Sequence, residues 1–279
     1  MKQTLWFRIW SFTNVLSLDV VLGAMGGMYF FQRLFEVIVG IEFYILLGIA
    51  VWSIYTTDHL LDASNRSNAA LSLRHEFHRK YRKVIVLGLI FALPSALLLV
   101  ILSPSVYPIL IPALFLAAGI AVWYVLLYFK RKKVSFLKEL MTAFFYIVGI
   151  AFAPLLLSNE FPEPMQLLLA FLYFLLALIN LLILSYFDRR YDQLHAFASI
   201  SGSLDSRMHE RLCFNMLNFT IGVLLISLVL AFSYFKIYLG ILLLIAVVHY
   251  TQLKNGKSHG DARRVMEVSF SLPWLLLLF

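Results

Sequence analysis

The sequence predicts an all-helical protein that crosses a membrane several times, and three observations predict this fold class. Of its 279 residues, 62% are hydrophobic and 14% are charged, and the mean hydropathy of +0.86 is far above that of soluble domains. The apolar residues form long runs, and about twenty such residues carry a helix across a bilayer. Basic residues alternate between successive connections, as in polytopic membrane proteins. We therefore expect one membrane domain over residues 1–279.

Nine segments are long and apolar enough to be predicted as membrane-spanning helices. The first run has no small-residue cleavage site behind it, so we expect it to be retained rather than removed as a signal peptide. Its glycines at positions 23, 26 and 27 predict close packing against a neighbouring helix. The nine predicted spans are 12–31, 37–57, 83–102, 106–128, 136–157, 165–187, 212–232, 234–250 and 263–279.

The distribution of basic residues predicts the orientation of these spans. When connections are assigned to alternate sides, Arg33 and Lys236 alone of the 23 Lys and Arg residues fall opposite the N-terminus. Because positive charge concentrates in cytoplasmic loops, we expect a cytoplasmic N-terminus in an integral protein, for which a bacterial inner membrane is the expected location. The net charge of +8 is then a consequence of topology, and nucleic acid is not an expected partner.

Two pairs of aspartates stand at the cytoplasmic ends of the second and sixth spans. They are Asp58 with Asp62, and Asp188 with Asp192. Acids four residues apart share one face of a helix and repel each other, and the C-terminal end of a helix disfavours anions. Aspartates can simply mark where a helix leaves the membrane, but the repetition of this arrangement favours a cation site. Mg²⁺ suits it, because this ion binds through one or two carboxylates together with phosphate oxygens.

Each acid pair opens a long cytoplasmic connection, 58–82 and 188–211, and we expect both to cap the site. Nearby basic side chains are candidates for binding phosphate, since arginine offers a planar fork and lysine a point charge. Each of them could alternatively anchor the protein to lipid headgroups. The candidates are Arg66, Arg74, Lys130 and Arg131.

Several polar residues lie within or beside the predicted spans, where burying a charge is costly enough to indicate function. Asp19 is close to the cytoplasmic edge and is a candidate for orienting a second substrate, or else for an internal polar pair. Glu42 and Glu267 are expected to be boundary residues. Three asparagines are expected to bond between helices: Asn180, Asn215 and Asn218.

His75 and His78 have the i, i+3 spacing of zinc ligands, but a catalytic zinc site needs a third protein ligand. The many basic residues around them also disfavour a dication. We therefore expect this segment to be an interfacial helix lying on anionic headgroups.

The chain resembles the UbiA superfamily of intramembrane prenyltransferases in three short motifs and in its nine-span pattern. The second motif, Asp188-Arg189-Arg190-Tyr191-Asp192 with Ala196 and Ser199, is similar to that of the family. Tyr128-Phe129-Lys130-Arg131 resembles its aromatic-x-Lys-Arg turn, and Arg66 follows the first motif at the family's position. The first motif departs from the family pattern, because Ile54 and Tyr55 stand where the family has Asn and Asp.

This resemblance implies nine helices around a central cavity and Mg²⁺-dependent transfer of a prenyl group from a prenyl diphosphate. The acceptor would be a small lipophilic molecule, aromatic or a quinone precursor, and membrane lipids would surround both substrates. The four aspartates would be catalytic metal ligands, and the four basic candidates would bind the diphosphate. Two alternatives stay open: a catalytically inactive, lipid-binding relative, and a transporter that uses the acid pairs as cation sites.

Overall fold

The computed structural model describes residues 13–65, 73–129, 135–158, 160–194, 205–255 and 259–279, and ten helices lie within these ranges. A short 3₁₀ helix at Pro104–Val106 joins α4 to α5, and a second one at Leu272–Leu278 follows α10. The ten helices are α1 (Leu18–Leu34), α2 (Ile41–Asn65), α3 (Leu73–Lys80), α4 (Arg82–Leu102), α5 (Tyr107–Phe129), α6 (Ser135–Leu157), α7 (Pro164–Leu194), α8 (Ser206–Leu230), α9 (Ser233–Asn255) and α10 (His259–Ser269).

Seven helices in the described part of the chain are long and apolar enough to cross a membrane. This confirms the all-helical, polytopic fold class and seven of the predicted spans, by length and composition. The seven segments are Ile41–Leu61, Arg82–Leu102, Pro104–Leu127, Leu137–Leu157, Pro164–Asp188, Ser206–Leu230 and Ser233–Asn255.

The first and last predicted spans are not single, long, continuous helices. α1 has 17 residues and follows a bend at Ser17, whose φ of 57° lies in the left-handed region. In the last segment α10 ends at Ser269, and a 3₁₀ helix with Pro273 in its first turn follows. A proline inside an α-helix removes one backbone hydrogen bond and clashes with the preceding turn. Pro273 instead occupies the first turn of the 3₁₀ helix, where its missing N–H costs no hydrogen bond, and the apolar run 263–279 is not a single α-helix.

The main core forms where α1, α6, α7, α8, α9 and α10 meet. Its centre is aromatic: the Tyr173 ring stacks on Phe31 at 5.8 Å and on Phe270 at 5.9 Å, and meets Phe30 edge to face at 5.3 Å. Tyr173, Phe30 and Phe31 are fully buried. Such offset and edge-to-face pairs stabilise a core beyond the area they bury.

α1 lies close to its neighbours because of its glycines. A Cβ on Gly27 would lie 2.6 Å from Ile150 Cδ1, and one on Gly26 would lie 3.0 Å from Trp274 Nε1. Trp274 also donates through Nε1 to the carbonyl of Leu22 at 3.0 Å and stacks on Tyr29 at 5.4 Å. The predicted close packing of the first span is thus confirmed, and the C-terminal 3₁₀ helix is one of its partners.

A polar contact joins α7 to α9 inside the main core. Asn180 Oδ1 lies 3.2 Å from His249 Nε2, and His249 Nδ1 lies 2.7 Å from the carbonyl oxygen of Ile245. His249 is fully buried. The prediction for Asn180 is therefore confirmed, whereas Asn215 and Asn218 are exposed on α8.

α4 and α5 form the periphery of the bundle. Only 6% of the spanning window of α4 and 11% of that of α5 are buried. Their exposed side chains include Phe91, Leu97 and Phe115. Apolar surface this extensive is unusual for a water-soluble monomer but natural for helices whose backbone groups are satisfied internally and whose side chains face lipid.

Candidate functional site

Both acid pairs lie on continuous helices. α2 continues to Asn65 and α7 to Leu194, so the segments 58–65 and 188–194, which we predicted as the starts of loops, are helical. Asp58 and Asp188 are described in full. The side chains of Asp62 and Asp192 lie outside the described part, as does that of Arg74 on α3; residues 66, 130 and 131 lie outside the described ranges altogether.

Asp188 at the end of α7 pairs with Arg263 near the start of α10. Arg263 Nη2 donates to Asp188 Oδ2 at 3.3 Å, and the two side chains are 23% and 41% exposed. One turn further along α10, Glu267 Oε1 lies 3.9 Å from Arg263 Nε. The arginine therefore lies between an acid of the second predicted motif and a carboxylate of its own helix.

Asp58, at the end of α2, belongs to the same neighbourhood. It lies within electrostatic reach of Arg263, as do Asp188, Glu267 and the phenol of Tyr55. Of the two predicted motifs, Asp188 supplies the acid that pairs directly with this guanidinium, and Asp58 adds to the negative charge around it.

A second group of polar side chains continues from Glu267 into the protein. Asn14 Nδ2 donates to Glu267 Oε2 at 3.1 Å and to Asp19 Oδ2 at 2.5 Å. Asp19 Oδ1 also accepts from the backbone N–H of Val20 at 3.0 Å. Asp19 and Glu267 are 5% and 8% exposed, and such buried carboxylates need hydrogen bonds to be tolerated. We call Asp19, Asn14, Glu267, Arg263 and Asp188 the polar chain.

The bend at Ser17 makes part of this arrangement possible. Ser17 is 1% exposed and has a positive φ, a conformation that costs a non-glycine residue energy. Its backbone N–H donates to the carbonyl of Asn14 at 3.1 Å, which turns the chain back so that Asn14 reaches Asp19.

The structure revises two expectations about single residues. Glu267, predicted as a boundary residue, is buried inside the polar chain, because Asn14 donates a hydrogen bond to it and Arg263 balances its charge. His78, expected on an interfacial helix, does lie on a helix, but its ring is 1% exposed and packs 5.3 Å from the ring of His59. Glu42 is near the opposite end of α2, where it accepts a hydrogen bond from Ser105.

Aromatic side chains lie next to the polar chain. The Phe270 ring, just after α10, meets Tyr146 edge to face at 6.0 Å and stacks on Tyr173. Tyr55 lies within electrostatic reach of both Tyr146 and Arg263. Tyr146, Tyr173 and Phe270 pack into the main core, and we call Tyr55, Tyr146, Tyr173 and Phe270 the aromatic cluster.

Sequence reasoning missed Arg263 and Asn14 as members of the site. Arg263 and Glu267 have the i, i+4 spacing of a helical ion pair, a signal that was present at the start of the last apolar run. Asn14 carried no such signal, because its partner Glu267 is 253 positions away.

The described residues fit a magnesium site in donor chemistry. Asp58 and Asp188 supply carboxylate oxygens, which Mg²⁺ prefers, and Asp188 is accessible enough to reach an ion. Among the side chains that the structure describes, no three His, Cys, Asp or Glu residues come together as a metal cluster. Asp62 and Asp192 would have to complete such a set, and their side chains lie outside the described part.

No known protein family, curated protein or solved structure matches this chain. By its seven long apolar helices the chain is a polytopic helical membrane protein, in which Asp188 near the end of α7 pairs with Arg263 near the start of α10.

Proposed function

We propose that this protein is an intramembrane prenyltransferase of the UbiA type, with α1 and the C-terminal segment as the first and ninth crossings of a bundle around a central cavity. It would transfer a prenyl group from a prenyl diphosphate to a small lipophilic acceptor, aromatic or a quinone precursor. What supports the proposal is that Asp188, the first acid of the second motif, pairs with Arg263 at 3.3 Å, while Asp58, the first acid of the first motif, lies within electrostatic reach of the same guanidinium.

The residue roles follow from the chemistry of a diphosphate leaving group. Asp58, Asp62, Asp188 and Asp192 would hold Mg²⁺, which when bound neutralises the diphosphate and polarises its bridging oxygen. Basic side chains would bind the remaining phosphate oxygens, and Asp19 would orient the acceptor. The proposed phosphate-binding residues are Arg66, Arg74, Lys130 and Arg131.

The aromatic cluster supports the same reaction. Departure of a diphosphate from an allylic chain leaves a positive charge on carbon, and the faces of aromatic rings stabilise nearby cations. Tyr55 lies within electrostatic reach of both Arg263 and Tyr146, and it is the ring that we expect such a cation to meet. The apolar tail would extend past these rings between the helices, while the charged end stays at the membrane surface.

A second candidate function is lipid binding without turnover. Two observations favour it: Ile54 and Tyr55 stand where the family has Asn and Asp, and Asp188 is already paired with Arg263. A transporter is less well supported, because transport sites favour the bilayer midplane whereas these acids lie in the last turns of α2 and α7.

The test is binding of a radiolabelled prenyl diphosphate to the purified full-length protein with and without Mg²⁺. Asp58→Asn and Asp188→Asn should each weaken Mg²⁺-dependent binding about tenfold or more, since each removes a charged ligand of the ion. Asp205→Asn is the matched control: Asp205 is exposed at the start of α8 and makes no side-chain cap. Absence of Mg²⁺-dependent binding by the wild-type protein would overturn the proposal.

Turnover separates the two candidates. Incubation with membrane extract and a labelled prenyl diphosphate should release diphosphate and label a lipophilic product if the protein is an enzyme. Binding with no product in any extract would favour the lipid-binding alternative instead.

A further inference from the structure

Arg263 has more hydrogen-bonding capacity than its surroundings use. A guanidinium carries five N–H donors, and Nη2 donates to Asp188. The buried Nε finds no hydrogen-bond acceptor among the described residues, and Glu267 Oε1 at 3.9 Å is too far to accept. A buried donor without a partner is rare and calls for an explanation. The guanidinium thus has donors to spare, and because its side chain is 23% exposed, an additional anion can reach it.

The pair between Arg263 and Asp188 is also loose. Its distance of 3.3 Å exceeds the roughly 2.7–2.9 Å of a tight charge-assisted hydrogen bond. Both side chains are partly exposed, and such pairs contribute little to stability. Exchange of this contact for another would therefore cost the protein little.

The rest of the neighbourhood holds the guanidinium where it is. Glu267 is on the same helix one turn away, and Asn14 fixes Glu267 from the other side. When a cation takes Asp188, Arg263 would still be retained by Glu267, whose Oε1 lies 3.9 Å from its Nε.

We propose that Arg263 exchanges partners when the site is filled. In the ligand-free protein its guanidinium neutralises Asp188; when a divalent cation takes Asp188, the guanidinium binds the diphosphate oxygens of the ligand. Arg263 is thus a competitor of the cation and a ligand-binding residue for the phosphate. This inference rests on the proposed function and adds a residue to it, without a covalent step.

The planar fork of arginine fits this role. Two parallel N–H groups match two phosphate oxygens, which a lysine cannot do. Because Asp188 would leave Arg263 for the cation, Arg263 should have opposite effects on the binding of the cation and of the phosphate. It opposes binding of the cation alone and favours binding of the phosphate.

The experiment measures two affinities of the purified full-length protein: for Mn²⁺ alone, and for inorganic diphosphate in the presence of saturating Mn²⁺. Arg263→Gln should bind Mn²⁺ several-fold more tightly and diphosphate about tenfold more weakly, the size expected from loss of one charge-assisted contact. Arg263→Lys keeps the charge and loses the fork, so its Mn²⁺ affinity should stay near that of the wild type while diphosphate still binds less well. Arg264→Gln is the control, because Arg264 pairs locally with Asp261 on the same helix.

Each other outcome has a defined meaning. Weaker binding of both ligands by Arg263→Gln would show a structural role and overturn the exchange. Tighter Mn²⁺ binding with unchanged diphosphate affinity would make Arg263 a counter-ion alone, which also overturns it. If Arg263→Gln does not fold, as judged by thermal unfolding, Arg263→Lys decides: unchanged diphosphate affinity overturns the proposal. A wild-type protein that binds neither probe would instead overturn the proposed function itself.

Discussion

Asn14 donates to Glu267 at 3.1 Å, although the two residues are 253 positions apart. This hydrogen bond ties the short helical stretch before α1 to α10. Because Arg263 of α10 pairs with Asp188 of α7, residues from three distant parts of the chain meet in the candidate site. Removal of the hydrogen bond between Asn14 and Glu267 should therefore disturb Glu267 and, through it, Arg263.

The first prediction concerns this contact. Asn14→Ala removes the amide that lies between two buried carboxylates, which leaves Asp19 and Glu267 without a shared donor. Asp19 keeps the Val20 N–H and Glu267 keeps Arg263, so the expected loss of stability is that of hydrogen bonds to charged groups, about 1.5–3 kcal/mol, measured by thermal unfolding in detergent. Asn218→Ala, at an exposed position, should change stability by less than about 0.5 kcal/mol. Equal effects of the two substitutions would contradict a structural role for Asn14.

The second prediction tests the close approach of α1 to α6 and α7. Gly27→Ala places a Cβ 2.6 Å from Ile150 Cδ1 and 3.0 Å from the Tyr173 hydroxyl. Overpacking of this kind costs about 1–3 kcal/mol. Gly222→Ala is the matched control, because a Cβ there meets nothing within 4 Å, and alanine favours a helix by roughly 1 kcal/mol over glycine. The unfolding temperatures of the two variants should move in opposite directions, and a stable Gly27→Ala variant would argue against this packing.

The third prediction concerns the polar contact between α7 and α9. A double-mutant cycle with Asn180→Ala and His249→Ala should give a coupling energy of about 0.6–1.7 kcal/mol, the range found for hydrogen bonds between membrane helices. The single variants and the double variant are compared by thermal unfolding. Additive effects would mean that Asn180 and His249 do not interact, in disagreement with their 3.2 Å separation.

The fourth prediction tests the orientation in the membrane. In a Cys213→Ser background, which removes the one buried cysteine, Glu160→Cys and Lys80→Cys introduce single exposed thiols. An impermeant thiol reagent should label Cys at position 160 in intact cells, and Cys at position 80 only after the membrane is opened. The reverse pattern, or labelling of both in intact cells, would contradict a cytoplasmic N-terminus with nine crossings.

Much of the fold could be predicted because the signal for a membrane helix is local. A run of apolar residues is read directly from the sequence, and seven of the predicted spans correspond to long helices. The last span was predicted as one membrane helix, whereas α10 ends at Ser269 and a 3₁₀ helix that includes Pro273 follows. Hydropathy does not register such a change of helix type. The starts of the connections at 58 and 188 were also predicted differently, because hydropathy marks the edge of the membrane rather than the end of a helix.

The candidate site was predictable only in part. The acids could be found because their spacing repeats, and Asp19 because a carboxylate within an apolar run is unusual. The partner of Asp188 could not be found in this way, since Arg263 is 75 positions away and looked like one of many basic residues at the membrane edge. Glu267 was misjudged for the same reason: its burial depends on Asn14 and Arg263, neither of which is predictable from its immediate neighbours.

The sequence by itself determined that the protein is helical and polytopic, and it determined which acids to examine. Hydrophobicity, charge and spacing are properties of short segments, so they can be read from the sequence without knowing how the chain folds. Only the tertiary structure decided that Asp188 pairs with Arg263 and that Asn14 joins Asp19 to Glu267. Those contacts depend on which helices pack together, and that is decided by the core of the whole bundle.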